Sequence, residues 1–459
     1  MNEKKKYSGV ELMGTAPVGT AIIRLALPMM VAMLAQAIYG ITDAFFIGQT
    51  NDPNMIAAVS LAFPLYMFSI ALGNVFAIGG SSYISRMLGE KKNDEARNTS
   101  AVSFYSGFGV AVLMVIALWI FKTPILWMIG ASNATFAYTD DYFSAVLLGM
   151  AFAATGIIMS GQMRSEGAAQ KAMILQLIGV VLNIVLDPVF IIWFGWGTAG
   201  AGWATVVAQF VSFIYGIHYF FSKSTVLSIK PMHYKPNGTM MGQMLSIGIP
   251  AGISNFFMSV ANILANRIAA DYGDHVVAGY GIQMRVGSIF FLLILALAIG
   301  FQPFAGYNYG AKQFDRLHKG FKLTLIYTTA LCLFGCAVLS LFGDNLMKVF
   351  IDDPHTIEAG AALLWAFIWG LPFLGVQMTL MVSFQALGKP IQATIITLGR
   401  QLLFYLPLLY LLNYLFGFDG FAWSQPAADV LTTGIAVVLG FSLLKLMRGA
   451  GDSATVLTT

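Results

Sequence analysis

Charge is what this sequence has least of. Only 10% of its 459 residues are charged, against about 25% in an ordinary soluble domain. With 58% hydrophobic residues and a mean hydropathy of +0.76, an ordinary soluble chain is excluded and an integral membrane protein is implied. Cysteine is nearly absent. Cys332 and Cys336 lie four apart in one apolar run, which leaves no disulfide framework or zinc site and marks both as small packing residues. Histidine is scarce too: His233, His275, His318 and His355 fall in loops, and His218 sits near a helix end. There is no His-Glu-x-x-His, no phosphate-binding glycine loop and no nucleophile elbow. An enzyme is therefore not expected, no cofactor is implied, and any transport would draw on an ion gradient. No cleavable leader is visible, because Met1 to Tyr7 is lysine-rich and no small-residue cleavage site follows the first apolar run. The net charge of +4 lies in short loops, where it orients a membrane protein and does not point to nucleic acid.

What is present is a series of apolar runs, each long enough for the about 20 residues that cross a bilayer. They lie near 20–47, 56–82, 99–121, 139–163, 171–193, 198–221, 240–268, 277–304, 322–343, 358–382, 391–414 and 423–446. The fold class predicted is all-α integral membrane, with twelve transmembrane helices. Lysine and arginine concentrate in the termini and alternate loops, from Lys4 and Arg86 to Arg316 and Lys445. By the positive-inside rule those loops and both termini are cytoplasmic, and a cell's inner (cytoplasmic) membrane is the expected location.

The chain also repeats. Pro28 matches Pro250, Gly89-Glu90-Lys91-Lys92-Asn93-Asp94 matches Gly310-Ala311-Lys312-Gln313-Phe314-Asp315, and Met163-Arg164-Ser165-Glu166-Gly167 matches Phe384-Gln385-Ala386-Leu387-Gly388, at offsets of 222, 221 and 221. Six spans per half make the repeat parallel, related by a pseudo-twofold along the membrane normal. The predicted organisation is an amino-terminal lobe over 1–222, a cytoplasmic linker over 223–239 and a carboxy-terminal lobe over 240–459.

Once the loop acids are set aside, with Asp140, Asp141 and Glu358 at the outer span ends counted among them, three remain inside the spans: Asp43, Asp187 and Asp429. A charged Asp at the bilayer centre costs about 2.5–3.5 kcal/mol on insertion scales, which makes it a functional candidate. Asn183 precedes Asp187 by four residues, one face of a helix, and Pro188 follows as a break in the backbone hydrogen bonding. Asp43 lies fifteen residues after Pro28, a candidate hinge. If Asp43 and Asp187 meet, they form a proton or cation site, to which Thr205 could add a hydroxyl. Asp429 shares a face with Gln425, and Arg400 is expected to snorkel to the headgroups. Met33, Gln36, Met67, Asn255, Met258, Gln283 and Gln377 supply thioethers and amides for a substrate cleft suited to apolar or cationic ligands.

With these residues in view, the sequence resembles the MATE (multidrug and toxic compound extrusion) family over essentially its whole length. The resemblance rests on Pro28 and Asp43, Met163 to Gly167, Asn183 to Pro188, Gly300-Phe301-Gln302-Pro303, Gly306 to Ala311, and Gln425-Pro426. It implies two six-helix bundles and a multidrug antiporter that extrudes small organic cations in exchange for H+ or Na+. The family's amino-lobe ion site would fall on Asp43, Asn183, Asp187 and Thr205, with Asp43 and Asp187 as the Na+ ligands, and the first helix would bend at Pro28. One departure stands out: Met258 and Leu374 replace the acids of the sodium-coupled branch with a carboxy-lobe site, so the chain looks closer to the DinF- and MepA-like branch. A monomer is expected, in contact with lipid and drug. Two other classes stay open: a lipid-linked oligosaccharide flippase of the same superfamily, and a non-coupled channel or sensor.

Overall fold

The computed structural model describes residues 9–50 and 52–455, leaving out the side chains of Ile41, Asp43, Ala44, Phe63, Asp344, Leu446 and residues 448–455. Twelve helices carry the fold: α1 (Val18–Gly48), α2 (Pro53–Gly89), α3 (Asn93–Ile120), α4 (Phe136–Ser165), α5 (Ala169–Asp187), α6 (Gly197–Phe221), α7 (Gly238–Asp271), α8 (Asp274–Gly310), α9 (Phe314–Phe350), α10 (Pro354–Ala386), α11 (Pro390–Leu398) and α12 (Leu406–Thr455). Within lipid only a helix or a closed barrel satisfies every backbone N–H and C=O, and no strand occurs among the described residues. Among the described residues, eleven stretches are long and apolar enough to cross a membrane; the last, Pro390–Lys445, has 56 residues. That is nearly three times the ~20 residues one crossing needs. It breaks at Gly417, whose φ of 60° and ψ of −135° only glycine adopts readily, so this stretch supplies the eleventh and twelfth crossings.

The repeat is visible in the backbone. Helices α2 and α8 each have 37 residues, and each ends two residues before a left-handed lysine, Lys91 at φ 60° and Lys312 at φ 56°. In both, the next residue's N–H returns to a carbonyl five residues back, Lys92 to Met87 and Gln313 to Asn308, each at 2.9 Å, which closes the helix. Gly167 (φ 84°) and Gly388 (φ 70°) mark the corresponding turns after α4 and α10.

Packing divides the described residues into two compact units, 9–12 with 31–252 and 13–30 with 253–455. These differ from the sequence halves at the two matched prolines: α1 changes unit two residues after Pro28, and α7 two residues after Pro250. Small residues explain the exchange. In the first unit the opening turns of α7 lie against α2, with Gly248 on the Val75 carbonyl and Gly79 on that of Met244, approaches that a side chain would block. In the second, Gly300 of α8 meets the backbone of Ala26 on α1.

The linker is folded onto the first unit and not loose. Asn98 accepts from Lys235 N (3.0 Å) and donates to Lys235 O (2.9 Å), Tyr105 donates to Ile229 O (2.9 Å), and Leu227 and Ile229 are buried. Helix α4 is the centre of the first unit, largely buried and packed by α2, α3 and α6. Its repeat mate α10 holds the same place in the second, against α8, α9 and α12.

Candidate functional site

Asn183 and Asp187 end α5 on one face, and Thr205 comes from α6 beside them. All three are buried, with Asp187 at 0% exposure. The Asn183 Nδ2 amide donates to Asp187 Oδ1 at 3.3 Å and to Thr205 Oγ1 at 3.2 Å, so one side chain ties the acid to the next helix. Thr205 thus accepts a bond from α5. Asn183 Oδ1 has no hydrogen-bond partner among the described residues. Together the three side chains supply carboxylate, amide and hydroxyl oxygens, the donor type that suits a proton or a hard cation.

Pro188 does not break the helix. It opens a π-helical turn, Pro188–Trp193, in which Phe194 N reaches back to Val189 O (2.9 Å). Its missing N–H falls where the bonding pattern changes from α to π, so the loss is absorbed, and such turns mark functional sites in many helices. Pro28 also lies inside a continuous helix, α1. Asp43 belongs to that helix, but its side chain lies outside the described residues.

The proposed cleft residues divide between the units. Met33, Gln36 and Met67 belong to the first, and Asn255, Met258, Gln283 and Gln377 to the second. Gln36 and Met258 are exposed, whereas Gln283 and Gln377 are buried, the latter with neither amide atom hydrogen-bonded among the described residues.

The MatE family model matches residues 28–189 and 250–411, two stretches that open on the paired prolines. The chain belongs to the MatE family. The multidrug export protein MepA of Staphylococcus aureus (strain NCTC 8325 / PS 47) is 30% identical to it over 428 residues, covering 93% of this chain and 94% of the relative. A crystal structure of a MATE protein in complex with MaL6 matches with a TM-score of 0.91 at 24% identity, covering 97% of this chain and 100% of that one. Another, in complex with MaD5, gives 0.90 at 25% with the same coverage. As a MatE member with this series of apolar helices, the chain is a multi-pass membrane protein.

Two further polar clusters in this MatE chain were not legible as such. Arg400 does not snorkel outward: its Nε donates to Asp429 Oδ1 at 2.7 Å, with side-chain exposures of 12% and 2%. The bilayer interior makes an unpaired charge costly, and Asp429 supplies the partner from α12. Gln425 Nε2 also reaches both Asp429 oxygens, at 3.3 and 3.4 Å, as the shared face predicted. The second cluster is Glu166, in the turn between α4 and α5 and 3% exposed. It accepts from Tyr219 Oη (2.6 Å), Thr225 Oγ1 (2.8 Å) and Val226 N (2.9 Å), and so holds the linker to the unit. Burial pushes its carboxyl above the ordinary value near 4.5, against the opposing pull of those hydrogen bonds. Its only sequence signal was a carboxylate inside a matched loop.

Proposed function

We propose that the chain is a secondary multidrug efflux antiporter of an inner (cytoplasmic) membrane, with both termini cytoplasmic. It exports amphipathic and cationic organic compounds in exchange for H+ or Na+. The observation that carries the coupling is the Asn183 amide shared by Asp187 and Thr205 in a fully buried setting. A carboxylate at this depth is costly to ionise, which makes Asp187 the group at which a proton or cation is taken up and released. Binding of that ion changes what Asn183 can donate to, and Asn183 passes the change from α5 to α6. Asp43 is the second acid of this site, and Pro28 the hinge through which α1 answers it. Export of drugs is supported by the MepA relative, itself named a multidrug export protein. The turn of α1 and α7 from one packing unit to the other near Pro28 and Pro250 supports alternating access, because two matched helices then join both units.

The test is efflux of a fluorescent organic cation from proteoliposomes under imposed proton and sodium gradients. Efflux that rises with one gradient and collapses in Asp187→Asn supports the reading. Efflux indifferent to both gradients makes the protein a channel or uniporter.

A further inference from the structure

Two histidines meet at one end of the second unit. His275 is the second residue of α8 and His355 the second of α10, so both lie just inside a helix and not in the loops. Their rings stand with centroids 6.3 Å apart and planes at 64°. Both side chains are exposed, and neither is hydrogen-bonded among the described residues.

The spacing is fixed one turn deeper. Gly279 follows His275 by four residues, and Gly360 follows His355 by five. A Cβ on Gly279 would lie 2.8 Å from Gly360 N and 3.1 Å from the Thr356 carbonyl oxygen, so the two backbones touch there. Such an approach, open only to a residue without a side chain, holds the first turns of α8 and α10 together. The ring of His275 is placed as well. Its Nδ1 and Cε1 lie 3.0 Å from where a Cβ on Gly273 would be, and its Nε2 stays beyond 4 Å of that point.

Two imidazoles that share one ion through bonds of ~2.0–2.1 Å have ring centres roughly 5–6.5 Å apart, depending on the angle at the metal. The pair already stands in that range, and rotation of the exposed rings is enough to turn a nitrogen of each toward a common point. Carboxylates supply charge: Asp274 precedes His275, and Asp353 caps α10 two residues before His355. Hydrogen bonds from Thr356 Oγ1 (2.6 Å) and Thr356 N (2.8 Å), with the two imidazoles beyond them, hold the Asp353 carboxyl below its ordinary value. Its charge persists at neutral pH and offsets the positive ends of the two helices, which oppose a cation.

From this geometry we propose that His275 and His355 form a two-histidine site for a divalent transition-metal ion of the Zn2+, Ni2+ and Cu2+ class, the ions that imidazole prefers. No group of three or more metal-ligating side chains gathers among the described residues, so water fills the other positions and the ion exchanges with solvent. Bound there, it staples the first turn of α8 to that of α10. The site shares no residue with the amino-terminal acids or the Arg400–Asp429 pair, and it does not depend on the transport reading.

The experiment is equilibrium dialysis of Zn2+ against the tag-free full chain in detergent, with the melting temperature followed alongside. Wild type is expected to bind one Zn2+ and to melt higher in its presence. His275→Gln or His355→Gln removes the chelate and raises the Kd at least about tenfold, with the metal-free melting temperature unchanged because both side chains are exposed. The double variant weakens binding less than about threefold further, since either loss already breaks the chelate. His233→Gln leaves binding as in wild type, and excess Mg2+, which demands oxygen ligands, does not displace Zn2+. His275→Asn and His355→Asn serve if a glutamine variant does not fold.

No Zn2+ uptake by wild type, or uptake unchanged in both single variants, overturns the proposal. A loss confined to one histidine, or losses that add in the double variant, mean that the two do not share an ion and overturn it as well. Displacement of Zn2+ by Mg2+ assigns the binding to carboxylates, with the same result.

Discussion

Asn183 of α5 donates to Thr205 of α6 at 3.2 Å, so the helix bearing Asp187 and its neighbour are joined through a single amide. Replacing Thr205 by Val keeps the shape and removes the acceptor. A neutral hydrogen bond is worth ~0.5–1.5 kcal/mol net, which corresponds to a loss of about threefold to tenfold in apparent affinity for the coupling ion. Thr205→Ser restores it. Ion-dependence curves of efflux in proteoliposomes check both variants.

The Arg400–Asp429 pair has an energetic signature of its own. Both side chains lie largely inside the second unit, and removing one partner of such a pair costs about 3–5 kcal/mol because the other charge is left uncompensated. Asp429→Leu is therefore expected to lower the melting temperature in detergent sharply. The double variant Arg400→Met with Asp429→Leu recovers most of the loss. A double variant no better than the single one shows that packing around the pair, and not its charge balance, sets the stability.

Glu166 gives a pH dependence with a definite sign. Its carboxyl is raised in the folded state by burial, so its contribution to stability is complete below the ordinary carboxyl value and is lost as pH rises through the raised one. Wild-type melting temperature should fall as pH rises above the ordinary carboxyl value near 4.5. Glu166→Gln keeps an oxygen for Thr225 and Val226 and flattens that slope. Glu166→Ala leaves Val226 N and the Tyr219 hydroxyl without this acceptor, and faster proteolysis of the segment between α6 and α7 reports the loss.

Backbone contact between α2 and α7 depends on glycine. A Cβ on Gly248 would run into the Val75 carbonyl, whereas Gly281 of α8 has nothing within 4 Å of the same position. Gly248→Ala is expected to destabilise by about 1–3 kcal/mol through overpacking. Gly281→Ala is neutral to stabilising by up to ~1 kcal/mol from helix propensity. Thermal melts of the two variants side by side make the comparison.

Most of the fold could be read from the chain because it follows from local pattern. Apolar runs of bilayer length recur, basic loops alternate, and the matched loops at Gly89 and Gly310 reappear as matched helix ends with left-handed Lys91 and Lys312. Asn183 and Asp187 were likewise legible, since a spacing of four places them on one face. Relations over longer separations were not. Depth alone made Arg400 a snorkelling residue, and nothing in its own helix shows that Asp429, 29 residues on, faces it. The burial of Glu166 has no local signal, because the linker that covers it returns from 60 residues away. Pro188 promised a break; the backbone widened to a π turn instead, a local adjustment that costs less in lipid than exposing carbonyls.

The account depends most on Asp187 exchanging its ion for substrate. Purified wild-type protein in weakly buffered detergent, titrated with an organic cation, is predicted to release protons, or sodium when loaded with it, in step with binding. Asp187→Asn should bind the cation without that release. Equal release from both proteins, or none from wild type while the cation binds, contradicts coupling at this site.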